Sequence, residues 1–386
     1  MAVATFGNNI VGAFTGGIPV TAIYAGSIKV WPMSGPGPGP DPDYWYLLWT
    51  PTTLSGSFSM FSGTEYLQDF SGFYSWEGSS KGYIPSSTFK YRSNQSAYNF
   101  RTIETNVKSI GNQAFSGLKY LSNVSASKCS YIGEYAFYFC SSLKEVSFPS
   151  CEYLDVGAFW GCSQLSSINL PVCSFIRGNV QGGPGAFFEC TNLTDVSLPL
   201  CEYIGMSTFC SCVNLISISL PMCSEVGREA FNFCSKLADV SLPLCEFVYG
   251  HAFAQCGSLK TITLPKCRIL SETAFGFCSN LSVVNIPLCE SVSQQTFYSC
   301  ISLERIELPV CSYIGNQAFE NCYSLSEVVL GYSSVVFLSY YHSSVFKNTL
   351  IESGNGRIYV PSSLVSVYKV APSWSSLSSV IYPIPS

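Results

Sequence analysis

Charge is scarce in this chain. Of 386 residues, 19 are Lys or Arg and 24 are Asp or Glu, for a formal net charge of −5. A nucleic-acid surface needs clustered basic side chains, so that class of partner is excluded. Histidine is scarcer still, with 2 copies. His251 occupies a repeat slot and His342 lies in the run Tyr340-Tyr341-His342. A lone His without a positioned partner carries no acid–base mechanism. Cys210-Ser211-Cys212 has no second close pair to complete a zinc site, and no glycine-rich phosphate loop or calcium loop is present. No run approaches the roughly 20 apolar residues that span a bilayer. The sequence thus offers no catalytic residue, no metal ligand set, no cofactor motif and no membrane span, and it reads as non-enzymatic.

What is abundant is short apolar pieces and cysteine: 47% of the residues are hydrophobic and 19 are Cys. Cysteines fall at 129, 140, 151, 162 and 173, then at 190 and every eleventh residue to 322. Cys210 alone is off this lattice. Other signatures recur at twice the step, as in Cys201-Glu202-Tyr203-Ile204-Gly205, Thr208-Phe209, Cys212, Leu215, Ile218 and Leu220-Pro221. The unit is therefore twenty-two residues with two cysteines. Val107 and Leu118 stand in the cysteine slots of an earlier unit, so ten units run over 107–332. A unit this short cannot bury its own apolar face and must stack on its neighbours, which defines a solenoid. The segment Leu143 to Cys151, Leu-x-x-Val-x-x-Pro-x-Cys in this unit, fits the leucine-rich-repeat template, so it is the expected strand, ended by the turn at Pro149.

Outside the repeats the composition shifts. Residues 1–33 read as a small N-terminal β module whose last strand is Thr21 to Trp31; no leader is recognised there, since no basic residue precedes Lys29. Residues 34–43, rich in Pro and Gly, form an exposed linker. Residues 44–106 hold many aromatics and are expected to form a β capping region, with a sugar platform or a polysaccharide-degrading site as the other readings of the same side chains. Residues 333–386 form the C-terminal cap. The fold class is mainly β: a leucine-rich-repeat solenoid of ten 22-residue units, with the N-terminal β module and the aromatic-rich capping region.

The recurring wording Ile-Gly-x-x-Ala-Phe-x-x-Cys-x-x-Leu-x-x-Val-x-Leu-Pro resembles the BspA-type leucine-rich repeats of bacterial, protozoal and viral surface proteins. The ending, with Ile358-Tyr359-Val360-Pro361, Tyr368-Lys369 and Trp374, is similar to a closing segment of that family. Ile23-Tyr24, Gly26 and Val30-Trp31 resemble short attachment modules at the front of tail proteins from phages and prophages of gut bacteria. The resemblance implies adhesion or ligand binding: a cell-surface glycan or protein as partner, other subunits of a tail or surface assembly held through residues 1–33, and a virion or bacterial-surface location. A purely structural spacer in that assembly is the alternative.

A lattice gives every thiol two equivalent neighbours rather than one partner, so stacked, buried, reduced thiols are expected instead of disulfides, with off-lattice Cys210 as the exposed one. Two surface features are candidates for contact. On the strand, Ser147, Asn169, Ser197, Ser219, Ser241, Thr263, Asn285, Glu307 and Val329 make a mostly small, polar stripe. Two positions after the first Cys of each unit come Tyr131, Tyr153, Phe175, Tyr203, Glu225, Phe247, Ile269, Ser291 and Tyr313, so five of the first six are aromatic. The Ile or Val that follows is the surer inward residue, which leaves the rings either core or an outward ladder. Carboxylates beside the Cys, such as Glu152, Glu202, Glu246 and Glu290, form a solvated row. One six-residue insertion, within Arg177 to Gly185, carries Asn179 and Gln181 as further candidate ligand contacts, because solenoid insertions become loops on one face.

Overall fold

The computed structural model describes residues 107–179, 182–339 and 344–385 throughout, and before residue 107 a set of short strands with residues 86–87. Each coil has three sides. The first is a strand such as Ser217–Ser219, whose middle residue Ile218 points inward while both flanking serines are exposed. That period of two places Leu215, Ile218 and Leu220 in the core and leaves the polar stripe outside. Pro221 follows, where a missing N–H donor does no harm.

The second side was not foreseen as a strand. Two-residue strands from Tyr83–Ile84 to Phe337–Leu338 pair in parallel into one continuous twelve-stranded sheet. Solenoid pairing therefore extends one rung before and one after the ten units read from the repeat. The extra rungs lack the cysteines that make the repeat visible, but they keep the backbone ladder. The strand side likewise runs on through Phe100–Thr105 to Trp45–Pro51 and the antiparallel Gly56–Ser62. It is broken into separate sheets along its length, whereas the twelve-stranded side is not.

The third side carries the Phe of each Ala-Phe pair. Two residues here, four apart, are left-handed: Glu229 has φ 57° and Phe233 φ 62°, on either side of Phe231. Every second N–H points toward the following coil, so Glu229, Phe231 and Phe233 donate to the carbonyls of Gly250, Ala252 and Ala254 at 2.9, 2.7 and 3.0 Å. A left-handed non-glycine residue costs about 1–2 kcal/mol, which these coil-to-coil bonds offset. The Phe rings point inward and form an unbroken column from Phe115 to Phe346. Successive members such as Phe231, Phe253 and Phe275 are stacked at 5.1 and 5.4 Å, within 6° of parallel. Where Ala is replaced by Thr208 or Thr296 beside the column, the buried hydroxyl donates to the carbonyl of Gly205 at 2.8 Å or of Ser293 at 2.9 Å.

The six-residue insertion does not disturb this register. Phe159 and Phe187, on either side of it, stack at 5.4 Å and 3°. At the far end Tyr368, in the helix Val365–Val370, and Trp374 are fully buried, Trp374 against Phe346 and Tyr368 edge-on to Trp374. The indole Nε1 of Trp374 donates to Val336 O at 2.9 Å. Tyr368 OH accepts from Val336 N at 2.9 Å.

The expected single strand Thr21 to Trp31 is instead two antiparallel strands, Ile23–Ala25 and Ile28–Trp31. Gly26-Ser27 between them is a two-residue hairpin signal. The linker 34–43, Gln181 and His342 lie outside the described residues, as do the aromatic side chains of 44–76.

Truncating one ring of the column leaves a cavity with stacked neighbours on both sides. Phe253→Ala is expected to lower unfolding free energy by about 3–5 kcal/mol. Urea denaturation followed by far-UV circular dichroism measures it; a loss under about 1 kcal/mol would show that the column does not hold the coils together.

Candidate functional site

The nineteen cysteines decide first what chemistry this protein can do. All are free and buried, and the eighteen on the lattice form two ladders with different hydrogen bonds. In one, Cys129, Cys151, Cys201 and their equivalents donate Sγ–H to the carbonyl two residues on, as Cys223 does to Glu225 O at 3.2 Å. In the other, each thiol donates to the Phe carbonyl of the preceding coil, as Cys256 does to Phe231 O and Cys278 to Phe253 O, at 3.2 and 3.1 Å. A small, apolar side chain with a weak donor is what an inward-facing carbonyl needs here. Off-lattice Cys210, expected to be exposed, is buried at 4% exposure. It sits one residue after Phe209, and its Sγ lies 3.8 Å from Ser211 Oγ.

Burial pushes these thiols up, Cys140 to about 12 and Cys210 to about 11. None is a nucleophile in the folded chain at neutral pH, because the thiolate is the reactive form. Among the described residues no group of three or more His, Cys, Asp or Glu could hold a metal ion. His251 occupies one of the left-handed turn positions.

The aromatic row beside the first thiol ladder faces outward. Ile132, Leu154, Ile176 and Ile204 are fully buried, while Tyr131, Tyr153 and Tyr203 are half-buried and Phe175 is exposed. Alternation along each two-residue strand enforces this division. Tyr131–Tyr153, Tyr153–Phe175 and Phe175–Tyr203 stack at 5.6, 5.5 and 4.9 Å. Glu225 then interrupts the row, Phe247 stands without a stacked ring among the row residues on either side, and Tyr313 restarts it against Phe337 at 5.9 Å. Glu152, Glu202, Glu246 and Glu290 are exposed beside it.

A polar knot anchors one end. Asp155, 4% exposed, accepts from Tyr131 OH at 2.9 Å and Val156 N at 2.8 Å. Arg177, at the start of the insertion, lies 3.4 Å from Asp155 and 3.8 Å from Glu134. Burial, then the hydrogen bond to Asp155 and its charge, hold the Tyr131 phenol well above its usual value. Asp155 in turn raises Arg177. Asn179 is half-buried and hydrogen-bonds the hydroxyl of Tyr135. The candidates Tyr131, Tyr153, Phe175, Tyr203 and Asn179 are thus brought to neighbouring coils, whereas Phe247 and Tyr313 lie farther along the solenoid. Because the stacked rings cover one another's faces, they offer solvent their edges and hydroxyls.

The polar strand stripe is exposed as expected. Between Ser217 and Thr263 it dips into a shallow groove of about 650 Å³ lined by Ser219, Ser241 and Thr261, with Asp239 and Lys260. Sequence reasoning missed a second aromatic group on the Phe side, made of Tyr135, Tyr138, Phe139, Trp160 and Phe188. Only the shared position of Tyr138, Trp160 and Phe188, one residue after a buried Phe, could have signalled it.

A sequence profile described as the BspA type leucine rich repeat region matches residues 82–180, 183–267 and 246–378, in six copies. Among solved structures, a leucine rich cell surface protein from Faecalibacterium prausnitzii is similar at 20% identity and TM-score 0.41, over 77% of this chain and 86% of its own. A leucine-rich repeat protein from Bacteroides ovatus is similar at 21% identity and TM-score 0.39, over 88% and 98%. The pneumococcal vaccine antigen PcpA is similar at 18% identity and TM-score 0.36, over 78% and 82%. No curated protein matches the chain. No helix among the described residues is long and apolar enough to cross a membrane.

The raised thiol values set a pH dependence. The unfolded chain loses its thiol protons near pH 8.5, while the folded chain keeps them to about 11 or 12. Above the unfolded value the folded state binds more protons, so stability falls as pH rises. Urea midpoints are expected to be flat from pH 6 to about 8 and to drop steeply between about 9 and 11. In the same range, folded protein should react with a thiol reagent only as fast as it unfolds. A flat stability curve to pH 11 would overturn the buried-thiol account.

Proposed function

Because the chain belongs to the BspA-type leucine-rich-repeat family, we propose that it is a non-enzymatic recognition protein that presents its solenoid to a cell-surface glycan or protein. The twelve-stranded side carries the reading: it is continuous, and its half-exposed Tyr131, Tyr153, Phe175 and Tyr203 stand beside Arg177 and Asn179. Tyr and Arg are enriched where interfaces concentrate binding energy, because each brings a large apolar body and a polar tip at low entropic cost. Such a face binds through ring edges, hydroxyls and the exposed carboxylates. Residues 1–33 are the proposed attachment to a tail or surface assembly, with the solenoid as its distal part.

A second reading, that of a structural spacer, is favoured by one observation. The rings of the row are already satisfied by stacking on one another, as a rigid rod requires.

Binding of the labelled full-length chain to a panel of gut bacterial cells separates the two. Recognition predicts saturable binding that falls about tenfold or more in the double variant Tyr153→Ala/Phe175→Ala, with little change in melting temperature. No saturable binding to any cell of the panel favours the spacer.

A further inference from the structure

We propose that the tilted aromatic group on the Phe side of the second to fourth units, centred on Trp160, is a carbohydrate platform for neutral or amine-bearing glycans. It rests on the recognition reading and names a ligand class and a site separate from the Tyr131 row.

The geometry differs from that row in the respect that matters for sugars. A pyranose packs its C–H face against the face of an aromatic ring. In the Tyr131 row those faces are covered by parallel neighbours. In the Trp160 group no two rings are parallel: Tyr135–Tyr138 meet at 82°, Tyr138–Phe139 at 69°, Phe139–Trp160 at 65° and Trp160–Phe188 at 85°. Phe139 is 44% exposed.

The backbone beneath has been cleared for two of these rings. Gly157 and Gly161 occupy the two left-handed positions of the third unit, with φ 60° and 72°. A Cβ on Gly157 would lie 2.5 Å from Tyr135 Cδ1, and one on Gly161 would lie 3.0 Å from Phe139 Cδ2. Both rings therefore lie across a coil that has no side chain at those positions. Elsewhere the same slots hold side chains, as Glu229 and Phe233 or His251 and Gln255.

Hydrogen-bonding groups border the rings. Trp160 Nε1 donates to Glu189 Oε2 at 3.1 Å, leaving the second carboxylate oxygen for a ligand hydroxyl. Asn179 reaches Tyr135 from the insertion, and Glu134 N donates to Asn112 Oδ1 at 3.1 Å. Flat apolar surface rimmed by a few fixed polar groups is the composition of a small-ligand site. Charge then selects among glycans. Glu134 and Glu189 border the group, and the guanidinium of Arg177 is shared between Glu134 and Asp155, so uronate, sialyl and sulfated sugars are repelled while uncharged or amino sugars are admitted.

The test is isothermal titration of the full-length chain with a panel of neutral oligosaccharides (cello-, xylo-, manno-, β-1,3-gluco- and chitosan oligomers) and acidic ones (oligogalacturonate, sialyllactose, heparin fragments). A neutral or amino member is expected to bind. Phe139→Ala should weaken it about tenfold, and Trp160→Phe, which keeps a ring but removes the N–H to Glu189, by about fivefold. Phe277→Ala, an equally exposed aromatic at the equivalent turn position far along the solenoid, should leave it unchanged. Melting temperatures of the variants identify any that fails to fold, and Phe139, being exposed, is the one that decides. The platform is overturned if no neutral or amino oligosaccharide binds, if acidic ones bind more tightly, or if Phe139→Ala binds as well as the parent. If any of these occurs while the parent still binds cells, the platform falls and recognition stands; loss of cell binding as well removes the recognition reading itself.

Discussion

From Phe115 to Cys322, beside the backbone ladders, successive coils share one repeated pair of contacts: a Phe ring stacked on the ring before it, and a thiol donated to the carbonyl of that preceding Phe. The two are coupled, because the ring fixes where its own carbonyl points and the carbonyl fixes where the next thiol must sit. A ring displaced by one residue would strand both a carbonyl and a thiol without partners in the core, where unmade hydrogen bonds are costly. The twenty-two-residue period follows from this requirement. The extra chain between Arg177 and Gly185 leaves this register unchanged, since Phe159 and Phe187 still stack across it.

The same contacts explain the choice of cysteine. Alanine would fill less of the space and leave the Phe carbonyl with only the backbone N–H of the Cys three residues on, as Cys234 N gives to Phe231 O. Serine would bring a stronger donor but a polar atom whose remaining acceptor capacity goes unmet. Cysteine has the smallest mismatch with a narrow interior that carries one carbonyl per site. Equal spacing along the axis keeps the sulfurs as neighbours rather than as pairs, so the ladders act as packing elements.

The solenoid, its period, the outward polar stripe and the inward Ile or Val after each ring were legible in the sequence because each follows from a fixed apolar spacing. The second strand row was not, since a two-residue strand such as Tyr203–Ile204 is too short to show alternation. The end rungs were hidden because Ile84 and Leu338 keep the backbone pairing without the cysteines that mark the repeat. Cys210 was misjudged: being off the lattice suggested a surface position, whereas the residue after a column Phe is itself largely covered. The orientation of the Tyr131 row became definite only with the strand pairing, and the Trp160 group depends on left-handed turns at Gly157 and Gly161 that no hydrophobic pattern reveals.

The plug formed by Tyr368 and Trp374 has a consequence for how copies meet. A stack of parallel rungs with an open terminal ring would be a template on which another molecule could dock its own first rung and grow a fibre. Here the Phe346 ring lies against the Trp374 indole, which packs on the Tyr368 phenol; the polar atoms of both are tied back to Val336, and the strand Ile381–Pro383 ends in proline. The ring column is thus closed at that tip, whereas the flanks carry exposed aromatic side chains such as Phe139 and Phe175.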